Sequence, residues 1–165
     1  MKDLRRPGNF AEILPLLAEH GVECILIGGG AGIAHGLARS TYDVDVVYSR
    51  EYANLERIAN SLLPFHAYLR DMPPGLPFKL DVRTLVNGMN FTLSTDLGAL
   101  DLLGDIPGGG NYQQLVPHSQ AILLYGFPML VLGLEKLIQV KRAAGRPKDL
   151  EAVAELQILL DEQRT

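Results

Sequence analysis

Cysteine is almost missing from this chain: 165 residues contain one, Cys24. A lone thiol cannot build an internal disulfide framework, so a reducing compartment is expected. Cys24 lies in the run Val-Glu-Cys-Ile-Leu-Ile, a setting that predicts a buried, inert sulfur rather than a nucleophile. Long apolar runs are missing too. Nothing approaches the ~18 consecutive apolar residues of a membrane helix, so no membrane partner is expected. The opening Met-Lys-Asp-Leu-Arg-Arg-Pro has no apolar segment of signal-peptide type behind it, and the expected location is cytoplasmic. An excess of positive charge is also lacking. The formal net charge is -4, which argues against gripping nucleic acid over the whole surface but leaves room for a local basic patch. There is no internal repeat and no low-complexity segment.

What is present reads as one α/β (α+β) domain spanning residues 1–165, with a core over about 8–131 and a pair of C-terminal helices over about 133–160. Hydrophobic residues at 47% and charged residues at 21% are ordinary for a globular protein, and a chain this long buries roughly 70% of its extended surface. Asn9 with Glu12 three residues on predicts a helix start, with the helix running to about His20 and Pro15 expected to kink it or delay its start. Val22–Ile27 is a short apolar run of buried-strand type. Gly28-Gly29-Gly30 predicts a turn, Ala31–Leu37 a short helix, Asp43–Tyr48 a strand and Glu51–Leu63 an amphipathic helix. Met72–Pro77 reads as a loop. Phe78, Leu80 and Val82 alternate with Lys79, Asp81 and Arg83, which predicts a strand over 78–85 with one wet face. Further strands are expected at 90–94, 99–103, 119–125 and 127–131, with a glycine loop at 107–110. Leu134–Ala144 and Pro147–Leu160 read as helices, with Gly145 after the first and Pro147 opening the second.

Three adjacent glycines invite two nucleotide-binding readings, and both fail on spacing. A dinucleotide fingerprint needs glycine at i, i+2 and i+5; counted from Gly28 the third place is Ile33, and counted from Gly30 it is His35. A P-loop needs a following Gly-Lys-Ser/Thr, which is not there. What remains is a strand, Gly28-Gly29, thirteen intervening residues and Asp43-Val44-Asp45. Residues i and i+2 of a strand share a face, so the two carboxylates point the same way. Held together they repel, raise a pKa and cost stability unless a cation lies between them. Oxygen-only ligands suit Mg²⁺, which binds through a few carboxylates together with substrate phosphates.

Ile27-Gly28-Gly29, Ala34-His35-Gly36, Arg39, Thr41, Asp43 and Asp45 together resemble the signature of the DNA polymerase β-type nucleotidyltransferase superfamily. Within it the chain is similar to small bacterial nucleotidyltransferases related to abortive-infection and toxin–antitoxin systems. The helix, Ala144–Asp149 turn and last helix fit the same resemblance. It implies the nucleotidyltransferase fold, a mixed β-sheet flanked by helices with a C-terminal helical pair. It also implies Mg²⁺ or Mn²⁺ as cofactor and an NTP, ATP among the choices, as substrate. Asp43 and Asp45 would be catalytic and metal-binding, and Gly28 and Gly29 would meet the triphosphate. The family places a third carboxylate on a neighbouring strand. Asp81 alternates with Lys79 and Arg83 as a solvated face does, which leaves Asp101, in the apolar Ala-Leu-Asp-Leu-Leu, and Asp105, where the strand runs out toward Pro107. Asp101 is preferred, because an acid kept in an apolar strand needs a partner.

Basic residues should help to neutralise the triphosphate: Arg39, and the cluster Lys141, Arg142, Arg146 and Lys148, of which Lys141 is singled out. The competing readings are a salt bridge for Arg39 and favourable helix-dipole placement for the cluster. His35 reads as a helix-end residue and Thr41 as support for the strand entry. The expected reaction transfers a nucleoside monophosphate to an acceptor hydroxyl on RNA (tRNA in a toxin–antitoxin setting), a protein or a small molecule. The alternative is a catalytically silent module of the same fold that acts as an antitoxin through a partner protein. A partner protein or a homo-oligomer fits either reading.

Overall fold

The computed structural model describes residues 6–73 and 75–165; residues 1–5, on which the signal-peptide reading partly rests, and Pro74 of the expected 72–77 loop lie outside them. The N-terminal helix α1 spans Phe10–Glu19, and the Asn9 side chain caps it by accepting from the Glu12 amide. It continues through Pro15, so the proline does not delay its start. Ile13, Leu14 and Leu17 bury its inner face. The strand β1 (Cys24–Leu26), the helix α2 (Gly28–Ala34), the strand β2 (Val44–Tyr48) and the helix α3 (Tyr52–Leu62) follow. The three glycines thus form the first turn of α2 rather than a turn before it, which corrects the expected start at Ala31.

The second half contains β3 (Tyr68–Leu69), α4 (Val82–Asn87), β4 (Asn90–Thr95) and β5 (Gly98–Leu103). A small hairpin of β6 (Asp105–Ile106) and β7 (Gly110–Asn111), the short helix α5 (Tyr112–Leu115), β8 (Ser119–Leu124) and β9 (Phe127–Leu132) come next. The chain ends in α6 (Leu134–Ala144) and α7 (Pro147–Gln163). The strand expected at 78–85 does not form. Asp81 instead caps α4, its carboxylate accepting from the Thr84 amide at 2.8 Å, while the Thr84 hydroxyl donates to the Lys79 carbonyl. A side chain that satisfies the first-turn amides offers the backbone a helix, and six residues of alternation did not outweigh it.

Seven strands form one mixed sheet in the order β3-β4-β5-β2-β1-β9-β8. The central strand β2 pairs antiparallel with β1 and parallel with β5, the second register setting Asp45 opposite Asp101. On the next strand Thr92 stands opposite Asp101. The core lies on both sides of this sheet, with Val46, Val47, Leu100 and Leu102 on the strands and Leu17, Ile58 and Leu137 on the helices, all essentially inaccessible to water. Cys24 is buried among them, and burial pushes its thiol up to about 12, as an inert core sulfur should behave. Among the described residues no helix is long and apolar enough to cross a membrane.

Candidate active site

Asp43, one residue before β2, Asp45 on β2 and Asp101 on β5 are half-buried, and each offers an oxygen such that the three atoms lie within 4.8 Å of one another. The sheet register is the cause: Asp45 and Asp101 are cross-strand neighbours, and paired residues on adjacent strands share a face. Asp105 is elsewhere, exposed on β6 opposite Asn111, and does not join the group. The crowding raises two of the acids, Asp45 and Asp43. Burial first, then the charge of Asp101, raises the Asp45 carboxyl from 3.8 to about 8. Burial and Asp101 also raise Asp43, against the opposing pull of Arg70. Asp43 Oδ1 is a buried atom that accepts no hydrogen bond; Arg70 Nη1 stands 3.4 Å away without the geometry of one.

Those observations are the test of whether a cation fits. An all-oxygen cluster with crowded like charges and an orphaned buried carboxylate oxygen is the environment a hard divalent ion resolves, and Mg²⁺ or Mn²⁺ has the matching donor preference. The apo cluster should therefore leave a mark on folding. With a pKa of about 8 in the fold and 3.8 unfolded, Asp45 holds a proton that the unfolded chain has already released. Its contribution to stability is thus complete below the lower value and is lost as pH rises through the window between them. Urea unfolding in EDTA should show stability falling across that window. A divalent ion held by the ionised acids would reverse the trend, so added Mg²⁺ should do so; an identical pH profile with and without Mg²⁺ would contradict the site.

Gly28 packs directly against Asp45. Its φ is +64°, and a Cβ built there would stand 2.5 Å from Asp45 Oδ2. Left-handed backbone and close approach both require glycine. Gly28→Ala should cost about 1–3 kcal/mol, read as a lower melting temperature, and should displace Asp45 as well. At Gly29 an added Cβ would meet Thr41 Oγ1 at 2.6 Å, so Thr41 packs against the glycine turn, in keeping with a supporting role. His35 ends α2 and its Nε2 lies 2.8 Å from the Leu132 carbonyl, tying the helix to β9.

The acids open into a cavity of about 390 Å³, whose walls include Gly28, Gly29, Thr41, Lys141, Arg146 and Lys148. Ile106 and Pro107 also line it. The expected glycine loop is the turn of the β6–β7 hairpin and lies against α6, where a Cβ on Gly108 would touch the Ala143 side chain at 2.5 Å. Arg39 reaches the wall as well, but its guanidinium pairs with Glu155 at 3.0 Å and Glu151 at 3.6 Å on α7. Lys141 is nearly buried and pairs with Asp149 at 3.7 Å, while Arg146 Nε donates to Asp149 at 2.6 Å. Burial lowers the Lys141 pKa against the pull of Asp149 and Asp45. Burial would raise Asp149, yet the Arg146 hydrogen bond and the two cations bring it below the ordinary carboxylate value. Arg142 is exposed and does not line the cavity.

Two residues went unassigned on sequence grounds. Arg70, just past β3, donates from Nη2 to Asp101 Oδ1 at 2.7 Å and to the Leu93 carbonyl at 2.7 Å. Its role depends on pairing between distant strands, and nothing in its local pattern signals that. Asp149 sits in the Ala-Gly-Arg-Pro-Lys-Asp turn; an acid two residues after a helix-opening proline was the available signal.

No protein-family model matches the chain, and neither does any curated protein sequence. Two solved structures are similar in shape. One is a Thermotoga maritima protein provisionally described as a nucleotidyltransferase. It is 16% identical, with a TM-score of 0.52, and the match covers 92% of this chain and 94% of that one. The other is the antibiotic-resistance factor ANT(2'')-Ia, solved in solution, at 17% identity and a TM-score of 0.47 over 92% of this chain and 87% of that one. With a seven-stranded mixed sheet flanked by helices in the arrangement described, the chain shares the fold of that Thermotoga maritima structure, a nucleotidyltransferase fold.

Proposed function

We propose that the protein is a metal-dependent nucleotidyltransferase that moves a nucleoside monophosphate from an NTP to an acceptor hydroxyl. The observation that carries this reading is the convergence of Asp43, Asp45 and Asp101 within 4.8 Å in a cavity that Lys141, Arg146 and Lys148 also line. Asp43, Asp45 and Asp101 would hold Mg²⁺ or Mn²⁺, which when bound would neutralise the phosphates and favour ionisation of the attacking hydroxyl. The protein's own part is positioning and charge complementarity, as in phosphoryl chemistry generally. The backbone at Gly28 and Gly29 lets a phosphate approach with no Cβ in the way. Lys141 is the cation best placed for the triphosphate, since it is desolvated and held by Asp149; Arg146 and Lys148 add charge at the rim. Arg39 is engaged by two glutamates, which favours a structural part for it over contact with the nucleotide. The acceptor oxygen bonds to the α-phosphorus as the bond to the bridging oxygen breaks. Pyrophosphate leaves, and Asp101 would receive the hydroxyl proton.

In a toxin–antitoxin setting the acceptor would be tRNA or a partner toxin, and the test offers both classes. Purified protein is incubated with each α-labelled NTP, Mg²⁺ or Mn²⁺, and total cellular RNA or protein. Label should enter one acceptor fraction with wild type and with the exposed Asp105→Asn control, but not with Asp43→Ala. Equal labelling by Asp43→Ala, or no labelling of any acceptor, would leave the silent binding module as the reading of the fold.

A further inference from the structure

We propose that Arg70 is a positioning residue of this site: its guanidinium orients Asp101 and sets the cluster's charge to that of one divalent ion. The inference rests on the reading of the cluster as a cation site. The placement comes from the sheet. The Arg70 amide extends the ladder by donating to the Thr92 carbonyl at 2.9 Å, and Thr92 stands opposite Asp101, which stands opposite Asp45. Arg70, Thr92, Asp101 and Asp45 thus form a row across four strands, and the long arginine reaches over the short threonine. One prong donates to Asp101 Oδ1 at 2.7 Å and the other stands 3.4 Å from Asp43 Oδ1. The Leu93 carbonyl fixes the first prong from behind at 2.7 Å. The side chain is only 14% exposed, so its charge acts through protein rather than through water.

Two consequences follow from this arrangement. The hydrogen bond to Oδ1 fixes the rotation of the Asp101 carboxylate and leaves its second oxygen for a cation, while Arg70 Nη1, 3.4 Å from Asp43 Oδ1, acts on Asp43 through its charge. The three acids, ionised as metal ligands must be, carry a formal charge of about -3, and Arg70 brings the group to about -2, the complement of a single M²⁺. A guanidinium can do both jobs; an ammonium can supply the charge but not the planar donor held between the Leu93 carbonyl and Asp101.

Removing Arg70 should therefore move metal affinity and turnover in opposite directions, which loss of a purely structural residue would not do. The full-length protein is titrated with Mn²⁺, following the free ion by electron paramagnetic resonance, for wild type, Arg70→Gln and Arg70→Lys. Arg70→Gln should bind Mn²⁺ about tenfold more tightly, because a nearby positive charge is gone. In the labelling reaction its kcat should fall about 10²-fold with the NTP KM nearly unchanged, as expected for a misaligned catalytic carboxylate. Arg70→Lys should bind Mn²⁺ like wild type, with kcat about tenfold lower. Weaker Mn²⁺ binding by Arg70→Gln, or unaltered affinity and turnover, would overturn the proposal. Should the glutamine variant fail to fold, the lysine variant decides: wild-type affinity with reduced kcat supports the assignment, and weakened Mn²⁺ binding overturns it. The titration needs no turnover, so absence of nucleotidyl transfer by wild type would overturn the enzymatic reading while the binding arm still judged Arg70.

Discussion

Asp45→Asn should lower nucleotidyl transfer by about 10³-fold while raising the melting temperature of the metal-free protein. The two effects have one cause. Asp45 is strongly perturbed, its carboxyl pushed to about 8 by burial and by Asp101. Ionising it without a cation places like charges side by side in a poorly solvated spot. The amide keeps the shape and removes the charge, so above neutral pH the apo fold should gain about 2–4 °C for each kcal/mol of relieved repulsion. On the proposed reading the same substitution removes a ligand, so Mg²⁺ should no longer stabilise the variant. Thermal unfolding at pH 8 with EDTA and with Mg²⁺, set beside single-turnover labelling, checks both halves. An Asp45→Asn protein less stable than wild type in EDTA would mean that Asp45 is held by favourable contacts and that no charge conflict exists.

Asp149→Ala should be the most destabilising single change near the cavity, costing on the order of 3 kcal/mol. Asp149 is 2% exposed and is the partner of both Lys141 and Arg146. Arg146, with 61% of its side chain in water, is well solvated and contributes little to that cost. Lys141 carries most of it, because at 12% exposure its ammonium would be left desolvated and unpaired. The variant should also raise the NTP KM about tenfold with a smaller change in kcat, since the lysine loses the tether that holds it in the cavity wall. Urea titration together with steady-state kinetics reads both numbers. A cost under about 1 kcal/mol with KM unchanged would remove Lys141 from the binding role.

The parts of the fold legible in the sequence were those encoded by neighbours a few residues apart. Gly145 and Pro147 bracket the joint between α6 and α7, and Asn9 caps α1, because capping is a local transaction between a side chain and amides within one turn. The same physics defeated the alternation at 78–85: Asp81 and Thr84 form a cap, and the periodicity that predicted a strand was shorter than the evidence a strand needs. The triple glycine predicted a break, yet Gly28 at positive φ only opens α2, and the helix continues through residues whose propensity disfavours it because the tight approach of Asp45 and Thr41 admits nothing larger.

The acid pair was readable for a related reason. Asp43 and Asp45 lie two residues apart, so strand geometry alone brings their side chains to one face. Asp101 could be preferred over Asp105 because a charge in an apolar strand demands a partner, although the partner the structure supplies within the chain is Arg70. That contact joins residues thirty-one apart across a register fixed by the whole sheet. Arg39 illustrates the converse: proximity in sequence to the acids suggested phosphate contact, and the packing of α7 placed two glutamates against it.

The claim on which the account stands is that residues 43, 45 and 101 share one cation. Crystals grown with Mn²⁺ and a non-hydrolysable NTP, measured at the manganese absorption edge, address it directly. The account predicts an anomalous peak at about 2.1 Å from oxygens of Asp43, Asp45 and Asp101, with the triphosphate running toward Lys141. Manganese bound elsewhere, or nucleotide seated in the cavity with the three carboxylates turned away from it, would contradict it.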